Sequence, residues 1–204
     1  MEQRSDDWFK ARLGKVTASR VADVVAKTRN GYGASRANYM AELVVERLTG
    51  KPTEGFSNAA MQWGTEQEPF ARDAYAARYG ELVTEVGFVD HPKIAMSGAS
   101  PDGLVGATGL VEIKCPNTAN HIEYLLSREP PQKWLYQMQW QMACTERDWC
   151  DWVSFDSRMP ESLQLVIVRI PRDDDTIAML EAEIQIFLDE LNSKVKALEE
   201  LKNG

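Results

Sequence analysis

Ser100-Pro-Asp-Gly-Leu-Val-Gly-Ala-Thr-Gly-Leu-Val-Glu-Ile-Lys-Cys-Pro116 is the stretch on which the reading of this chain turns. An acid sits in a Pro-Asp-Gly turn, and ten residues later Glu-x-Lys falls on a short apolar run between Gly109 and Pro116. Alternate residues of a strand face one side, so Glu112 and Lys114 point together. If the two segments pair as a hairpin, Asp102 comes alongside them. Two carboxylates then offer hard oxygen donors suited to Mg²⁺ or Mn²⁺, and the main-chain carbonyl of Ile113 is a further candidate ligand. The Lys114 ammonium stands where it can orient or deprotonate an attacking water and steady charge on a phosphate oxygen. Each fragment alone is commonplace, since Glu-x-Lys is usually a solvated strand face and Asp-Gly a turn. Their combination on one short apolar strand is what points to a site.

Outward from this hairpin, the pattern alternates helices and strands. Ser5-Asp6-Asp7 reads as a helix start, with early acids at the positive end of the dipole. Thr17-Ala-Ser19 opens a second helix, Lys27 to Gly33 reads as a flexible basic loop, and Ser35 caps a third helix ended by Gly50. Residues 58–79 form a helix that Pro69 threatens to divide. Leu82–Asp90, Ile94–Ser97, Leu110–Lys114, Cys150–Asp156 and Leu163–Ile170 carry strand character, and 118–127 and 132–146 helical character. From Asp173 onward Ile177, Ile184, Leu191 and Leu198 recur every seven residues. That stripe predicts one long helix laid on a core or on a neighbouring subunit. The expectation is a single α/β domain over 1–204, a small mixed sheet flanked by helices with a long C-terminal helix.

Composition narrows the function classes. The 204 residues have 44% hydrophobic and 26% charged content, the balance of an ordinary globular protein. No secretory leader or membrane span is legible, and three cysteines without CxxC spacing argue against a disulfide framework or structural zinc. A reducing cytoplasm is the expected location. The net charge of −8 is awkward for a DNA-binding protein. However, residues 1–51 hold ten Lys/Arg against six Asp/Glu, and 173–204 hold three Lys against nine Asp/Glu. A DNA surface is therefore expected on the N-terminal part, with the acidic C-terminus turned away.

Pro101-Asp102-Gly followed by Glu112-Ile-Lys114-Cys-Pro resembles the Asp…Glu-x-Lys nuclease superfamily, and more closely the phage lambda exonuclease and YqaJ-type viral recombinase family. Three further blocks occur in the family's order: Trp8-Phe-Lys-Ala-Arg12-Leu-Gly-Lys-Val-Thr17-Ala-Ser19, Trp63-Gly-Thr-Glu-Gln-Glu68 and Tyr136-Gln137-Met-Gln139. The resemblance implies a restriction-endonuclease-like fold in which Asp102, Glu112 and the Ile113 carbonyl ligate metal and Lys114 handles the nucleophile. It implies that Glu68, with Glu66 competing for the role, adds a carboxylate toward a second cation, and that Gln137 positions the water or the metal shell. Arg12, with Thr17, Ser19 and Ser100, would hold a terminal 5′-phosphate, where an arginine fork suits phosphate and a helix start near Thr17 offers N–H groups. Met61 would wedge against the end of the duplex.

The function so implied is a Mg²⁺-dependent 5′→3′ exonuclease on linear double-stranded DNA that leaves 3′ overhangs. A single-strand annealing protein is its expected partner, a homotrimeric ring its expected assembly, and two cations per active site its expected complement, Mg²⁺ with Mn²⁺ able to substitute. Two rivals stay open: a structure-specific endonuclease on the same fold, and a non-catalytic DNA-binding module.

Overall fold

The structure is a computed structural model in which residues 2–53, 58–80 and 82–203 are described. Its centre is a five-stranded mixed sheet in the order β10-β9-β8-β7-β4, made of Leu165–Pro171, Trp149–Phe155, Gly109–Lys114, Gly103–Val105 and Val83–Thr84 respectively. β8 and β9 run parallel, and the other neighbours are antiparallel. A smaller three-stranded sheet joins β1 (Val16–Thr17), β6 (Ser97–Ala99) and β5 (Val89–Asp90). Helices α4 (Ala59–Tyr79) and α6 (Gln132–Thr145) lie on opposite faces of the large sheet.

The period of two along β8 decides which residue meets which helix. Val111 and Ile113 join Ala71 and Tyr75 of α4 in one apolar cluster, whereas Leu110 joins Met138 and Met142 of α6 in another. Glu112 and Lys114 share the parity of Leu110, which turns them toward α6. β9 repeats the pattern, with Val153 and Phe155 on the α4 side and Cys150 and Trp152 on the α6 side. Gly103 in β7 is required by packing, because a Cβ there would come within 2.1 Å of a Val83 methyl.

A third cluster is mainly helical, with Val16 of β1 and Ala99 of β6 also in it. α2 (Val21–Val24), α3 (Ala34–Thr49) and α6 pack with α7 (Asp174–Asn203) through Val21, Tyr39, Leu43, Trp140, Leu180 and Phe187. The seven-residue stripe of α7 is buried at Ile177, Ile184 and Leu191, with Leu180 and Phe187 between them, while Leu198 and Leu201 lie exposed past the end of this packing.

Several expected boundaries move. Pro69 does not divide its helix, because it lies on the exposed face of α4, where the ring can be accommodated without burying a freed carbonyl. The strand read over Leu82–Asp90 is two short strands in different sheets, and the strand near Ile94 begins only at Ser97. The helix after Gly33 starts at Ala34 with no side-chain cap, so Ser35 is not its cap. Lys27 to Gly33 is not a loose basic loop: Lys27–Thr28 (β2) pairs with Gly31–Tyr32 (β3). That hairpin is tied to the acidic helix, with Lys27 Nζ and Tyr32 Oη donating to Glu183 at 2.6 and 2.7 Å. Buried Arg36 likewise donates to Glu190 at 2.7 Å. The positive N-terminal part and the negative C-terminal helix thus partly neutralise each other within one chain, instead of facing apart.

This packing sets a stability expectation. Phe187, fully buried and stacked on Tyr39 at 5.7 Å, anchors α7. Phe187→Ala is expected to cost about 3–5 kcal/mol in urea denaturation, whereas Leu198→Ala on the exposed end should stay within about 0.5 kcal/mol. Equal losses for the two would place the anchoring of α7 elsewhere.

Candidate functional site

Asp102 directly precedes β7, whose Gly103 pairs with Val111 of β8, so Asp102 comes level with Glu112. Its Oδ2 accepts from the Ile113 N–H at 2.7 Å. Glu112 is 1% exposed. Its Oε1 accepts from Lys114 Nζ and from Gln137 Nε2, the latter at 2.6 Å, and its Oε2 accepts from Gln141 Nε2 at 2.5 Å. Gln137 and Gln141 are four apart on α6, one helical turn, and therefore share the face turned to the sheet. Gln139 of the same run points elsewhere, accepting from Asp173 N and donating to the Pro171 carbonyl.

The electrostatics of this cluster follow from two carboxylates set against one ammonium. Desolvation, then the charge of Glu112, holds the Asp102 carboxyl well above the usual carboxylate range. Desolvation opposes the Lys114 ammonium, yet Glu112 and Asp102 outweigh it and raise its pKa above the ordinary lysine value. Lys114 is thus a proton-bearing donor in this arrangement, which favours the orienting role over the deprotonating one. Cys115 beside it is pushed up to about 12, chiefly by burial, and stays a thiol.

Glu68 stands on α4, the helix on the other face of the sheet. Arg4 and Arg72 donate to its two oxygens at 2.7 and 2.8 Å. Its charge bears on Asp102, Lys114 and Cys115, which places it near this end of β8. Glu66 is exposed and carries none of these contacts. Among the described residues no three acidic, histidine or cysteine side chains converge as a ready metal cage. The donor set nevertheless fits a hard divalent cation: two carboxylates whose charge Lys114 only half balances, so that Asp102 resists ionising. Two further buried acids are already engaged: Asp151 accepts from Tyr75 at 2.7 Å and Arg169 at 2.9 Å, and Asp156, just past β9, accepts from Thr118 at 2.7 Å and Arg158 at 2.7 Å.

A cleft of about 710 Å³ gathers Arg12, Thr17, Ser19 and Met61, with Trp8, Lys15 and Arg20 also in its wall. Arg12 lies over the Trp8 ring at 4.1 Å and donates to Ser100 Oγ at 3.4 Å, while Trp8 Nε1 donates to the same oxygen at 2.9 Å. Burial pulls the Arg12 pKa down, outweighing the opposing charge of Glu46, which with Glu42 also lines the cleft. The Thr17 and Ser19 hydroxyls are 3.4 Å apart. The helix start expected there is a three-residue 3₁₀ turn, Ala18–Arg20, and the Thr17 N–H is already given to Tyr39 Oη at 3.1 Å. Thr17 therefore presents its hydroxyl and not a free N–H. Met61 is 55% exposed at the start of α4, seven residues before Glu68 and so on nearly the same helical face. The two groups of residues meet through one loop, since Ser100 touches Arg12 and Asp102 touches Ile113.

Sequence reasoning missed Gln141, Trp8 and the two arginines on Glu68. The spacing of four from Gln137 was a signal for the first. Nothing in the sequence pairs Arg4 with Glu68 across 64 positions.

The model of the YqaJ-like viral recombinase domain matches residues 7–148. This chain belongs to the YqaJ-like viral recombinase family. No curated protein sequence matched it. Among solved structures, the alkaline exonuclease LHK-Exo from Laribacter hongkongensis is 55% identical with a TM-score of 0.92, covering 98% of both chains. A structure of LHK-Exo in complex with dAMP is 56% identical with the same TM-score and coverage. A phage-related exonuclease from Haemophilus somnus 129PT is 15% identical at TM-score 0.74, covering 90% of this chain and 96% of that one, a likeness of fold alone. The family member described here has the restriction-endonuclease-like fold that the resemblance implied.

The buried carboxyl pair makes a stability prediction. A carboxyl whose folded pKa is raised takes stability away as pH rises from its ordinary value toward the raised one. In chelator at neutral pH, Asp102→Asn keeps an acceptor for Ile113 N–H and removes that penalty. Its melting temperature should equal the parent's or exceed it by about 2–4 °C, the shift of roughly 1 kcal/mol in a domain of this size. A clearly lower melting temperature would show that the Asp102 charge is needed for folding.

Proposed function

We propose that this chain, a nuclease of the lambda exonuclease type by family and by whole-chain likeness, is a Mg²⁺-dependent 5′→3′ exonuclease. Its substrate in this reading is an end of linear double-stranded DNA, from which it releases mononucleotides and leaves a 3′ overhang. The observation that carries the reading is the Glu112 carboxylate level with Asp102, bearing Lys114 on one oxygen. A divalent cation, Mg²⁺ or Mn²⁺, would when bound supply Lewis acidity toward the scissile phosphate and the attacking water. Asp102, Glu112 and the Ile113 carbonyl are the residues to hold it. Glu68 is the candidate for a second, provided Arg4 and Arg72 share its oxygens.

The chain's own groups then have distinct tasks. Lys114, kept protonated by the two carboxylates, orients the attacking water and stabilises charge on the phosphate oxygen. Gln137 fixes the Glu112 oxygen that Lys114 also touches. Arg12 meets two oxygens of a terminal 5′-phosphate with its fork, Ser19, Ser100 and Thr17 offer hydroxyls, and Trp8 keeps the guanidinium in place. Met61, exposed in the same cleft, is placed to press on the last base pair. Ser100 and Asp102 are two residues apart, at most about 7 Å along the chain. An end phosphate gripped at one and a phosphodiester cut at the other differ by a short step of the strand, which suits mononucleotide release. The dAMP complex of LHK-Exo is in keeping with a mononucleotide product. A homotrimeric ring, a single-strand annealing partner, work in the bacterial cytoplasm and a single functional domain over 1–204 complete the proposal on family grounds. No helix among the described residues is long and apolar enough to cross a membrane.

Linear duplexes labelled at either end, incubated with Mg²⁺, test the reaction. Loss of the 5′ label as mononucleotide, ahead of the 3′ label, is expected. Cutting of a covalently closed circle would point to an endonuclease. Lys114→Ala should slow turnover by at least the ~10²–10³-fold typical of losing one preorganised charge partner. A 5′-phosphorylated duplex should be digested faster than its 5′-hydroxyl twin, and Arg12→Ala should largely erase that preference. An unchanged preference would move the phosphate pocket elsewhere. Light scattering should give a mass near three times the 23.0 kDa chain, and a monomer at micromolar protein would exclude the ring.

A further inference from the structure

Gln141 is fully buried in α6, a helix whose Met138, Trp140 and Met142 are fully buried too, so the position is one that suits an apolar side chain. Its amide nitrogen donates to Glu112 Oε2 at 2.5 Å, and among the described residues its buried amide oxygen has no hydrogen-bond partner. A leucine or methionine there would fill the space without leaving a carbonyl unpaired, and a buried polar atom without a partner is unfavourable for the fold. The amide therefore has one contact that justifies it, and that contact is the second oxygen of Glu112.

The two oxygens of Glu112 are held differently. Oε1 accepts from both Lys114 and Gln137, which fill its two lone-pair directions. Among the described residues Oε2 accepts only from Gln141, which leaves it one lone-pair direction to give to something else. The orientation of the plane of the carboxylate is thus set from two sides by residues one helical turn apart on α6. With the donor on Oε2 removed, the carboxylate can rotate about its last bond toward Lys114, and the remaining acceptor direction of Oε2 is no longer aimed.

We propose that Gln141 is a positioning residue that aims the free acceptor direction of Glu112 Oε2 at the divalent cation. The proposal rests on the reading of Asp102 and Glu112 as a cation site. Groups that hold a ligating carboxylate in place commonly change cation affinity or activity by 10–100-fold when removed.

The test uses the full-length chain and its Gln141→Met and Gln141→Leu variants, titrated with Mn²⁺ by calorimetry in the absence of DNA. Both variants should melt at the parent's temperature or above it in chelator, and should bind Mn²⁺ about 10–100-fold more weakly. On linear duplex with saturating Mg²⁺, kcat should fall while KM for DNA stays near the parent's, because Gln141 is far inside the helix face and meets no DNA. Parent-like Mn²⁺ affinity in folded variants would overturn the role of Gln141 and leave the metal site standing. Failure of both variants to fold would make the amide a structural requirement and also overturn it. No Mn²⁺ binding by the parent would instead remove the cation reading itself, and this proposal with it.

Discussion

A carboxylate taken out of water into the middle of a sheet is unfavourable by several kcal/mol unless donors and counter-charge surround it. Glu112, at 1% exposure, meets that demand with an ammonium from its own strand and two amides from the helix above. The rest of the architecture can be understood as what brings those groups together. The parity of β8 sends Glu112 and Lys114 to the α6 side while Val111 and Ile113 pack on α4. The antiparallel pairing with β7 sets Asp102 level with Glu112. Small glycines in that pairing let Val83 and Trp149 close over the hairpin. A site assembled on the central strands in this way is held more rigidly than one carried by loops, and hydrolysis depends on such preorganisation.

Charge is organised by the same economy of contacts. The acidic C-terminal helix is drawn to the basic hairpin and to α3 through Glu183 and Glu190. Those cations, Lys27 and Arg36, are spent inside the chain. Among the described residues Arg12 makes no ion pair, being held by Trp8 and Ser100 while the charge of Glu46 acts on it from further off. A guanidinium left in that state in a cleft is poised for an anion, which is the electrostatic counterpart of the excess negative charge at Asp102 and Glu112. The two regions lie at either end of one short loop, with opposite charge appetites. That arrangement accounts for a chain of net charge −8 that belongs to a family of DNA-processing enzymes.

Much of this was legible in the sequence where local rules dominate. The Glu112–Lys114 face follows from strand periodicity, and α7 follows from its seven-residue stripe. The helix start at Ser5 was readable because capping chemistry is local, with Trp8 N–H donating to Ser5 Oγ at 3.3 Å. What escaped depends on contacts between distant segments. Lys27 to Gly33 looks like a loop until Glu183 supplies the partner that pins it as a hairpin. Pro69 looks like a break until its exposed face is known. Glu68 was found through the family block, yet its two arginine partners and its place on the far side of the sheet from Gln137 are tertiary facts. Gln141 was passed over because its spacing of four from Gln137 gains meaning only once the carboxylate that both amides reach is seen.

The account stands on a divalent cation being held by Asp102 and Glu112, and crystals soaked in Mn²⁺ address that without relying on activity. Data collected at the manganese edge should show an anomalous peak between the Asp102 carboxylate and Glu112 Oε2, beside the Ile113 carbonyl, with Gln141 still on Oε2. A Glu112 that keeps only Lys114 and the two glutamines, with no manganese peak beside it at saturating Mn²⁺, would contradict the account.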